Sequence, residues 1–470
     1  MLKLKIDHER NAGFIYRQVY EGIKEMIMQG RLTQGYRLPS KRVLAKDLGV
    51  STNSVANAYE QLIAEGYLYS IEKSGYYVEA INPFKIHEQA VDQLPEELKE
   101  DETLEEDWLS FTHITTNVAL FPFKKWIAAE NHAIRNYRHY ISGLNHFQGP
   151  YIVRESIRDL IAVTRGVSCF PEQLVLSTGT LPLINQILDM AEEGARIAIE
   201  DPGYSRMYTL LKNKNFTVIP IPLDDKGINM EVLEKEDPDY VFVTPSHQFP
   251  TGTIMPISRR IDLLNWAAGK PNRFILEDDY DSEFKYTTDN IPSLQSLDKN
   301  QKVIYCGTFS KTLLPSFRFS YAVLPIPVIN RYKSLYREWI QGNNTLQLLA
   351  LKHFIDKGDY SKHVRKMNLH HFSNRQLLIS KLYEYFGEDV KINDIPAGLH
   401  FLAEFRTDKS YEEIMKRAVA EKIEIYDMRR FSFNSLDYGS DCKKLILGFA
   451  NLDPDLIEES VARLYRAVAK

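Results

Sequence analysis

The chain has little cysteine and no long hydrophobic run, and both absences exclude classes of protein. Its 470 residues include three cysteines, Cys169, Cys306 and Cys442, which are too few and too widely spaced for a disulfide framework or a cysteine-ligated zinc cluster. No apolar stretch approaches the roughly 20 residues that span a bilayer. Charged side chains recur from the start of the chain, unlike in a secretory signal peptide. We therefore expect a cytoplasmic protein that is not bound to a membrane.

The net charge is also low, at −5, but it is unevenly distributed. Residues 1–80 carry 11 Lys and Arg against 9 Asp and Glu, whereas residues 81–107 carry 2 against 10. A chain of 470 residues is too long for one hydrophobic core. We predict an N-terminal domain at 1–80, a solvated acidic linker at 81–107, and a larger region at 108–470.

The order of elements in residues 1–80 is that of a winged helix-turn-helix. Apolar residues recur at helical spacing over 14–28, and the segments 40–49 and 51–66 each begin with a serine N-cap and end at a glycine. Two short β runs follow within 68–78, joined by a tight turn. This order predicts a DNA-binding module with double-stranded operator DNA as its partner.

The third predicted helix carries the polar side chains that would contact base edges in the major groove. They are Ser51, Thr52, Asn53, Ser54 and Asn57. Basic side chains on the preceding helix and at the hairpin tip would contact phosphates. They are Lys41, Arg42 and Lys73. The alternative is a protein-interaction module in which the polar residues only cap a helix, and the weak positive charge slightly favours that alternative.

Beyond residue 108, short β runs alternate with helical segments, which is typical of a layered α/β domain. The predicted strands are Gln173–Ser177, Arg196–Ile199, Tyr240–Thr244, Arg273–Leu276, Val303–Cys306 and Phe319–Leu324. Five of these strands are followed by polar residues, and in open α/β sheets ligands bind beyond the carboxyl ends of strands. We predict one ligand site at that edge and a smaller C-terminal domain after about residue 350.

The residues after these strands are those that a pyridoxal 5'-phosphate site needs. Lys311 supplies the amine for a Schiff base, and the carboxylate of Asp278 would keep the pyridine nitrogen protonated. Tyr280 would hydrogen-bond the phenolic oxygen, and Tyr204 would stack on the ring. Phosphate ligands would be Gly179, Thr180, Thr308, Ser310 and Arg318. Each residue alone has an ordinary structural explanation, but their joint order at successive strand ends favours the cofactor.

These motifs resemble two known families. Leu38–Ala45, Leu48–Val55 and Tyr59–Leu68 resemble the GntR-family winged helix. Asp201–Tyr204, Pro250–Gly252, Glu277–Phe284, Ser310–Lys311 and Arg318 resemble the fold-type I aminotransferases. The combination resembles the MocR/GabR group of regulators. The resemblance implies an α/β aminotransferase-like domain with large and small parts, bound pyridoxal phosphate, an amine or amino-acid effector, and a head-to-tail homodimer with cofactor sites at the subunit interface.

The chain departs from the aminotransferase pattern at three places. Phe249 precedes Pro-Thr-Gly where aminotransferases usually have Asn, and Ser316 and Ser320 stand where Gly is usual. The segment Lys444–Phe449 lacks the arginine that aminotransferases generally place near here for the substrate α-carboxylate. We therefore expect weak transamination of ordinary α-amino acids at most.

The resemblance also implies an effector-binding arginine in the segment Tyr426–Phe431. We expect Arg429, in preference to its neighbour Arg430, to hold an effector carboxylate together with Arg206. Arg206 follows Tyr204 by two residues and would face the same side in an extended stretch. Such a pair suits a ligand such as γ-aminobutyrate, which would form an external aldimine and displace Lys311. The alternative is that both arginines pair with acidic side chains.

Three functions remain open at this stage: a regulator that senses an amine or amino acid, a working aminotransferase with an appended domain, and a regulator that senses pyridoxal phosphate to control vitamin B6 synthesis. The missing arginine favours the first over the second, and nothing separates the first from the third. No histidine group predicts a metal site. His363, His370 and His371 are expected on a solvated helix face, and His400 is expected to be structural.

Overall fold

A computed structural model describes residues 14–81, 95–99, 107–112, 117–287, 291–393, 395–434 and 442–469, together with Leu4, Ile6 and Asp7. The chain divides into two compact units, residues 1–104 and 105–470. Most of the predicted acidic linker at 81–107 lies outside the described residues. Within the described ranges, no helix is both long enough and apolar enough to cross a membrane.

In the described residues of the first unit, three helices precede a hairpin, in the predicted order. The elements are α1 (Ile15–Met28), α2 (Lys41–Leu48), α3 (Thr52–Ala64), β1 (Leu68–Ile71) and β2 (Gly75–Val78). The Ser40 side chain accepts a hydrogen bond from the backbone at the start of α2, and Gly49 ends that helix in the left-handed conformation with φ 66°. The hydrophobic core of this first unit includes the fully buried residues Val19, Leu44 and Tyr59.

The second unit alternates strands and helices and ends in a smaller helix-and-sheet part. Its helices are α4 (Phe123–Asn136), α5 (Arg138–Ile141), α6 (Tyr151–Arg165), α7 (Thr180–Leu188), α8 (Ser205–Asn213), α9 (Met230–Glu236), α10 (Ile257–Ala268), α11 (Ile326–Tyr336), α12 (Thr345–Asp356), α13 (Asp359–Phe386), α14 (Tyr411–Ala420) and α15 (Ile457–Val468). Its strands are β3 (Leu109–Ser110), β4 (Leu174–Ser177), β5 (Arg196–Asp201), β6 (Thr217–Asp224), β7 (Gly227–Ile228), β8 (Tyr240–Val243), β9 (Phe274–Asp279), β10 (Val303–Thr308), β11 (Ser320–Val323), β12 (Val390–Ile392), β13 (His400–Arg406), β14 (Ile423–Glu424), β15 (Tyr426–Asp427) and β16 (Cys442–Gly448).

Among the described residues, eight strands form one mixed sheet in the order β4-β11-β10-β9-β8-β5-β6-β7. Strands β10, β9, β8, β5 and β6 run parallel, and β11 is antiparallel to both β4 and β10. Strand β4 therefore runs in the same direction as β10. All six predicted strands are found in this sheet, and the carboxyl ends of the five that precede polar residues meet at one edge.

The smaller part contains an antiparallel sheet in the order β12-β13-β16-β15. Its core combines side chains of the sheet with those of α13, α14 and α15, such as Leu378, Phe405, Ile414 and Leu464. Strand β3 pairs in parallel with β14. Residues 107–112, which directly follow the linker in sequence, are thereby joined to this part.

The prediction that the three histidines of α13 lie on a solvated face is wrong for two of them, and the third, His370, is half-buried. His363 and His371 are buried, and the exposed fraction of His371 is 0%. His363 Nε2 lies 2.7 Å from the backbone oxygen of Thr312, and burial lowers the pKa of His371 to about 3. The signal was present in the sequence, because His363, Met367 and His371 are spaced four residues apart and share one helix face.

Candidate cofactor and effector site

A cavity of about 240 Å³ lies where the carboxyl ends of the strands of the large sheet meet. Segments that follow β4, β5, β8, β9 and β10 form its walls, together with part of the segment 426–431. The predicted cofactor residues in its lining are Tyr204, Thr180, Asp278, Tyr280, Thr308, Ser310, Lys311 and Arg318. Gly179, the remaining predicted residue, directly precedes Thr180. The structure thus brings together residues that span more than 100 positions of the sequence.

Lys311 is half-buried in this cavity, just beyond the end of β10. Burial lowers the pKa of its ammonium group to about 8, the Arg206 guanidinium acts in the same direction, and the carboxylates of Asp281 and Asp278 oppose the shift. A lysine with this pKa is neutral in an appreciable fraction of molecules near pH 8, and the neutral amine is the form that attacks a carbonyl carbon. The surroundings of Lys311 therefore suit a Schiff-base lysine.

Asp278 is a buried carboxyl group, one oxygen of which lacks a hydrogen-bond donor among the described residues. It is 6% exposed, and its Oδ1 has no hydrogen-bond partner among the described residues. Burial, followed by the charges of Asp279 and Asp281, raises the pKa of the Asp278 carboxyl to about 7. A ligand with a cationic N–H group would supply both the missing hydrogen bond and a compensating charge. A protonated pyridine nitrogen is such a group, so this residue fits the predicted cofactor.

Tyr280 lines the cavity next to His247. Its hydroxyl group donates to the backbone oxygen of His247 at 3.0 Å and lies 3.0 Å from Nδ1 of the same residue. Nδ1 is also 2.9 Å from Oδ2 of Asp281. Burial raises the pKa of the Tyr280 phenol well above its usual value. The hydroxyl group therefore keeps its proton, which in this structure it gives to the backbone oxygen of His247.

The predicted phosphate site lies at the start of α7. Gly179 is the N-cap residue, and Thr180 is the first residue of the helix. A Cβ atom at Gly179 would lie 2.7 Å from Nη2 of Arg318. Because glycine has no Cβ, the guanidinium group can approach the backbone there. Free N–H groups, the positive end of the helix dipole and an arginine then converge on one place, which is the arrangement that binds a phosphate.

The hydroxyl group of Thr308, which lines the cavity, also makes three hydrogen bonds within the protein. Its hydroxyl group donates to the backbone oxygen of Phe319 at 3.1 Å and accepts from Ser310 N at 3.1 Å and from Ser320 Oγ at 2.9 Å. These bonds use one donor and two acceptor positions, which is the full capacity of a hydroxyl group. Thr308 thus shapes the loop that carries Ser310 and Lys311, and its predicted contact with a phosphate stays a prediction.

Tyr204 and Arg206 both line the cavity, but the backbone between them is not extended as predicted. Tyr204 is the N-cap of α8, and Arg206 lies in the first turn of that helix. Burial and the charge of Asp278 raise the pKa of Tyr204, whereas the guanidinium groups of Arg206 and Arg318 oppose the shift. Two arginines and one aspartate therefore surround this phenol, as expected for a residue at the centre of the site.

Arg429 does not line the cavity. Its guanidinium group forms ion pairs with Glu412 and, at 3.0 Å, with Asp427, and it stacks 4.3 Å from the ring centroid of Tyr411. This matches the alternative in which an arginine pairs with acidic side chains. In this structure Arg429 is thus engaged with acidic side chains outside the cavity, and its binding of an effector stays a prediction.

Arg430 lines the cavity in its place, with its guanidinium group 4.5 Å from the ring centroid of Tyr426. The two arginines belong to a short 3-10 turn, Met428–Phe431. Neighbouring side chains in such a turn diverge by roughly 120°, so only one of two adjacent residues faces a given side. The sequence could not decide which of the two it would be.

Other lining residues were missed or only partly understood from the sequence. Thr244 follows β8 directly, and its amide and hydroxyl groups both donate to Glu200 Oε2, at 3.1 and 2.8 Å. Its place at a strand end was the available signal. Tyr426 and Phe431 come from a distant segment and carry no such signal. Phe249 is 5% exposed and contributes an aromatic ring where related enzymes have an amide.

Three potential metal ligands, His247, Asp281 and His400, place their ligand atoms within 4.8 Å of one another. Sequence analysis missed this cluster because its members come from three separate segments. His247 Nδ1 is engaged with Asp281 and Tyr280, and His400 Nε2 lies 3.2 Å from the backbone oxygen of Pro250. Hydrogen bonding within the protein accounts for these contacts.

In the first unit, the residues predicted to contact bases lie at the N-terminal end of α3. Thr52, Asn53 and Asn57 are exposed. Ser51 caps the helix by accepting from Ser54 N at 3.0 Å, and the two hydroxyl oxygens are 2.8 Å apart. Ser51 and Ser54 therefore have the capping role of the alternative interpretation, and the other three side chains are accessible to a partner.

The predicted phosphate contacts divide in a similar way. Arg42 is exposed, and Lys73 is exposed at the hairpin tip with φ 60°. Lys41 differs, because its Nζ lies 3.1 Å from Glu60 Oε1 and 5.6 Å from the ring centroid of Tyr76. Its charge is partly neutralised within the unit.

Comparisons with known proteins agree with this division. Residues 15–78 match the family of bacterial regulatory proteins of gntR type, and residues 108–464 match the aminotransferase class I and II family. The chain is 35% identical to the uncharacterized HTH-type transcriptional regulator YdeL of Bacillus subtilis, over 96% of both chains. It is 29% identical to the probable rhizopine catabolism regulatory protein MocR of Rhizobium meliloti, over 96% of this chain and 93% of that protein. A kynurenine aminotransferase structure from Pyrococcus horikoshii superimposes with a TM-score of 0.69 at 22% identity, covering 82% of this chain and 96% of that one.

These matches define a helix-turn-helix transcriptional regulator fused to an aminotransferase-like domain. The chain belongs to the aminotransferase class I and II family, with a GntR-type DNA-binding domain at its N-terminus. The resemblance to regulators of MocR type and the predicted fold class are confirmed. Pyridoxal phosphate, the predicted cofactor, is the cofactor of this family.

Proposed function

We propose that this regulator holds pyridoxal phosphate at Lys311 and senses a small amine that also carries a carboxylate, such as γ-aminobutyrate. The observation that carries this proposal is the presence of Arg206 and Arg430 in the lining of the same cavity as Lys311. Two guanidinium groups attract a carboxylate, and a lysine with a lowered pKa marks where an amine and a carbonyl would meet.

The cofactor would be held at three places. Asp278 would accept the N–H of the pyridine ring, Tyr204 would cover one face of that ring, and the start of α7 with Arg318 would hold the phosphate. When bound, pyridoxal phosphate supplies an electrophilic carbon and an electron-withdrawing ring. Lys311 would hold it until an effector amine takes the place of the lysine.

The carboxylate end of the effector determines which ligands fit. Arg430 is held by stacking on Tyr426, without the two acidic partners that occupy Arg429. The segment Lys444–Phe449, where aminotransferases generally hold an α-carboxylate, has no arginine. A ligand whose carboxylate lies further from its amine is therefore favoured, and turnover of common α-amino acids would be weak.

A chain of contacts supports a route from the effector to the rest of the protein. Arg430 stacks on Tyr426, whose hydroxyl group hydrogen-bonds Oε1 of Glu424. Oε2 of Glu424 accepts from Ser110 Oγ at 2.5 Å. Ser110 belongs to residues 107–112, which follow the linker in sequence. A ligand that moves Arg430 would therefore act on the part of the second unit that begins closest to the DNA-binding domain in sequence.

The expected head-to-tail homodimer on double-stranded operator DNA completes the proposal. It is supported by the GntR-type match, because DNA-binding domains of this kind commonly act in pairs on repeated half-sites. Sedimentation of the full-length protein with and without DNA measures the stoichiometry directly.

The main experiment uses the full-length protein with bound cofactor. γ-Aminobutyrate and a panel of α-amino acids are titrated while the cofactor absorbance and the operator affinity are followed in parallel. We expect γ-aminobutyrate to change both, and Lys311→Ala to lose the absorbance change while keeping DNA binding. Rapid repeated transamination of an α-amino acid would instead identify a working enzyme. A change in operator affinity on adding pyridoxal phosphate alone would identify a sensor of the cofactor.

A further inference from the structure

The hydroxyl group of Tyr280 has two neighbours on a single residue. It donates to the backbone oxygen of His247 at 3.0 Å, and Nδ1 of the His247 ring is also 3.0 Å away. A hydroxyl group has one hydrogen to give. While that hydrogen points to the backbone oxygen, it is not available to a ligand in the cavity. The group that fixes the direction of this hydrogen therefore determines whether Tyr280 can donate a hydrogen bond to a ligand.

The His247 ring is itself fixed in orientation. It is 2% exposed, and its Nδ1 lies 2.9 Å from Oδ2 of the buried Asp281. An ionised carboxylate only accepts hydrogen bonds, so this contact assigns the hydrogen to Nδ1. Two backbone segments enclose the ring, because a Cβ atom at Gly398 would lie 2.0 Å from its Cε1 and one at Gly252 would lie 3.3 Å from its Nε2. The ring is held with Nδ1 towards both Asp281 and Tyr280.

Phe249 makes the donor on Tyr280 more important. The asparagine that usually stands at this position in aminotransferases is close to the cofactor and could share in hydrogen bonding. Phe249 brings only a ring, whose centroid is 6.1 Å from that of Tyr280. A phenylalanine side chain donates no hydrogen bond, so Tyr280 would donate to the cofactor's phenolic oxygen without help from the side chain at position 249.

We propose that His247 is a positioning residue for Tyr280: its single Nδ1 hydrogen is shared between Asp281 Oδ2 and the Tyr280 oxygen, and the hydroxyl hydrogen can then turn from the backbone oxygen to the phenolic oxygen of the cofactor. The proposal rests on the proposed function, in which pyridoxal phosphate is held at Lys311. His247 itself touches no ligand in this scheme and acts only through Tyr280.

The charged groups around Tyr280 support its role as a donor. The carboxylates of Asp281, Asp278 and Glu200 all disfavour loss of the phenol proton. His400 is the other titratable ring nearby, with its centroid 4.8 Å from that of His247. Burial, these charges and a hydrogen bond with the Asp281 carboxyl raise the pKa of the Tyr280 phenol, so its hydrogen stays in place and His247 would act only on the direction of that hydrogen.

The test follows the visible absorbance of the bound cofactor as a function of pH in full-length protein. This absorbance changes when the nitrogen that joins Lys311 to the cofactor loses its proton. After that loss the phenolic oxygen of the cofactor is more negative. Removing the hydrogen bond that Tyr280 donates to this oxygen should therefore raise the pH at which the absorbance changes. We expect Tyr280→Phe to raise it by about 1 to 2 units, the size of one hydrogen bond to a charged acceptor.

His247→Asn and His247→Gln form a matched pair. The amide nitrogen of Asn can occupy the place of Nδ1, whereas that of Gln reaches the place of Nε2. We expect His247→Gln to raise the pH of the absorbance change by at least half as much as Tyr280→Phe, and His247→Asn to stay close to wild type. In the double variant of Tyr280→Phe and His247→Gln, the shift should equal that of Tyr280→Phe alone, because the two residues act as one unit.

Three results would overturn the assignment of His247. They are equal shifts for the Asn and Gln variants, shifts that add in the double variant, and a stoichiometric metal ion bound to His247 and Asp281 in the purified protein. A variant that no longer binds the cofactor, with its melting curve unchanged, would also count against a role confined to Tyr280. If Tyr280→Phe alone causes no shift although the cofactor is bound, the fault lies in the proposed role of Tyr280 and thus in the proposed function.

Discussion

Replacing Arg430 by alanine tests the proposed effector site most directly. The change removes one of the two guanidinium groups that line the cavity and leaves the other, Arg206, in place. It also removes the stacking on Tyr426, at 4.5 Å from the ring centroid. Lys311 and the phosphate site are not touched, so cofactor binding should persist.

The expected loss of affinity follows from the exposure of the arginine. A hydrogen bond to a charged group contributes about 1.5 to 3 kcal/mol, and the lower end applies because Arg430 is exposed. About 1.5 to 2 kcal/mol corresponds to a roughly 10- to 30-fold rise in the Kd for γ-aminobutyrate. n-Butylamine, in which a methyl group replaces the carboxylate of γ-aminobutyrate, should bind wild type and Arg430→Ala with similar affinity.

Arg429→Ala is the matched control, because it removes the same group one position earlier in the chain. Arg429 is engaged with Glu412, Asp427 and Tyr411 outside the cavity. We expect its loss to leave the ligand Kd within about twofold of wild type and to lower the melting temperature slightly, since exposed ion pairs contribute at most about 1 kcal/mol. Both variants are titrated by the absorbance of the bound cofactor.

The reasoning fails if the two variants exchange their behaviour, so that Arg429→Ala weakens binding and Arg430→Ala does not. It also fails if n-butylamine loses as much affinity as γ-aminobutyrate in Arg430→Ala. In that case the arginine would support the shape of the cavity and not hold a carboxylate.

Three further predictions concern other parts of the protein. Gly179→Ala should raise the Kd for pyridoxal phosphate about tenfold, because the new Cβ would lie 2.7 Å from Nη2 of Arg318 and displace this phosphate ligand. Equilibrium dialysis measures the Kd, and an unchanged value would place the phosphate elsewhere. Glu424→Ala should keep the absorbance response to γ-aminobutyrate but lose its effect on operator affinity, measured by fluorescence anisotropy; an intact effect would remove this contact from the route. Lys73→Ala should reduce the slope of the logarithm of the DNA-binding constant against the logarithm of the salt concentration by about one for every DNA sequence. Asn53→Ala should instead change the sequence preference. The reverse pattern would contradict the assigned roles.

The sequence predicted the strands and their polar ends because both depend on local patterns. A buried parallel strand needs a continuous apolar run, and its end is marked where polar residues begin. Asp278 and Lys311 were found in this way, since each follows such a run and lies at the same edge of the sheet. Serine caps and terminal glycines located α2 and α3 by the same local logic.

Local patterns did not determine side-chain direction or tertiary contacts. Arg429 and Arg430 are adjacent, and a 3-10 turn directs them to different sides. The Thr308 hydroxyl group is occupied by a loop that closes 11 residues later in the chain. His247 and Asp281 are 34 residues apart and meet only after β8 and β9 have paired. Such contacts become visible only when the sheet has been assembled.

The energetics of the site explain why an aminotransferase fold can serve as a sensor. Binding energy accelerates a reaction only if it is larger in the transition state than in the ground state. In the proposed site, a carboxylate would contact Arg430 next to Tyr426, from which hydrogen bonds lead to Ser110. A tenfold change in operator affinity requires about 1.4 kcal/mol of difference between two conformations. One charged hydrogen bond made in only one of those conformations supplies this amount. The same contact that would be of little use for turnover is therefore sufficient for regulation.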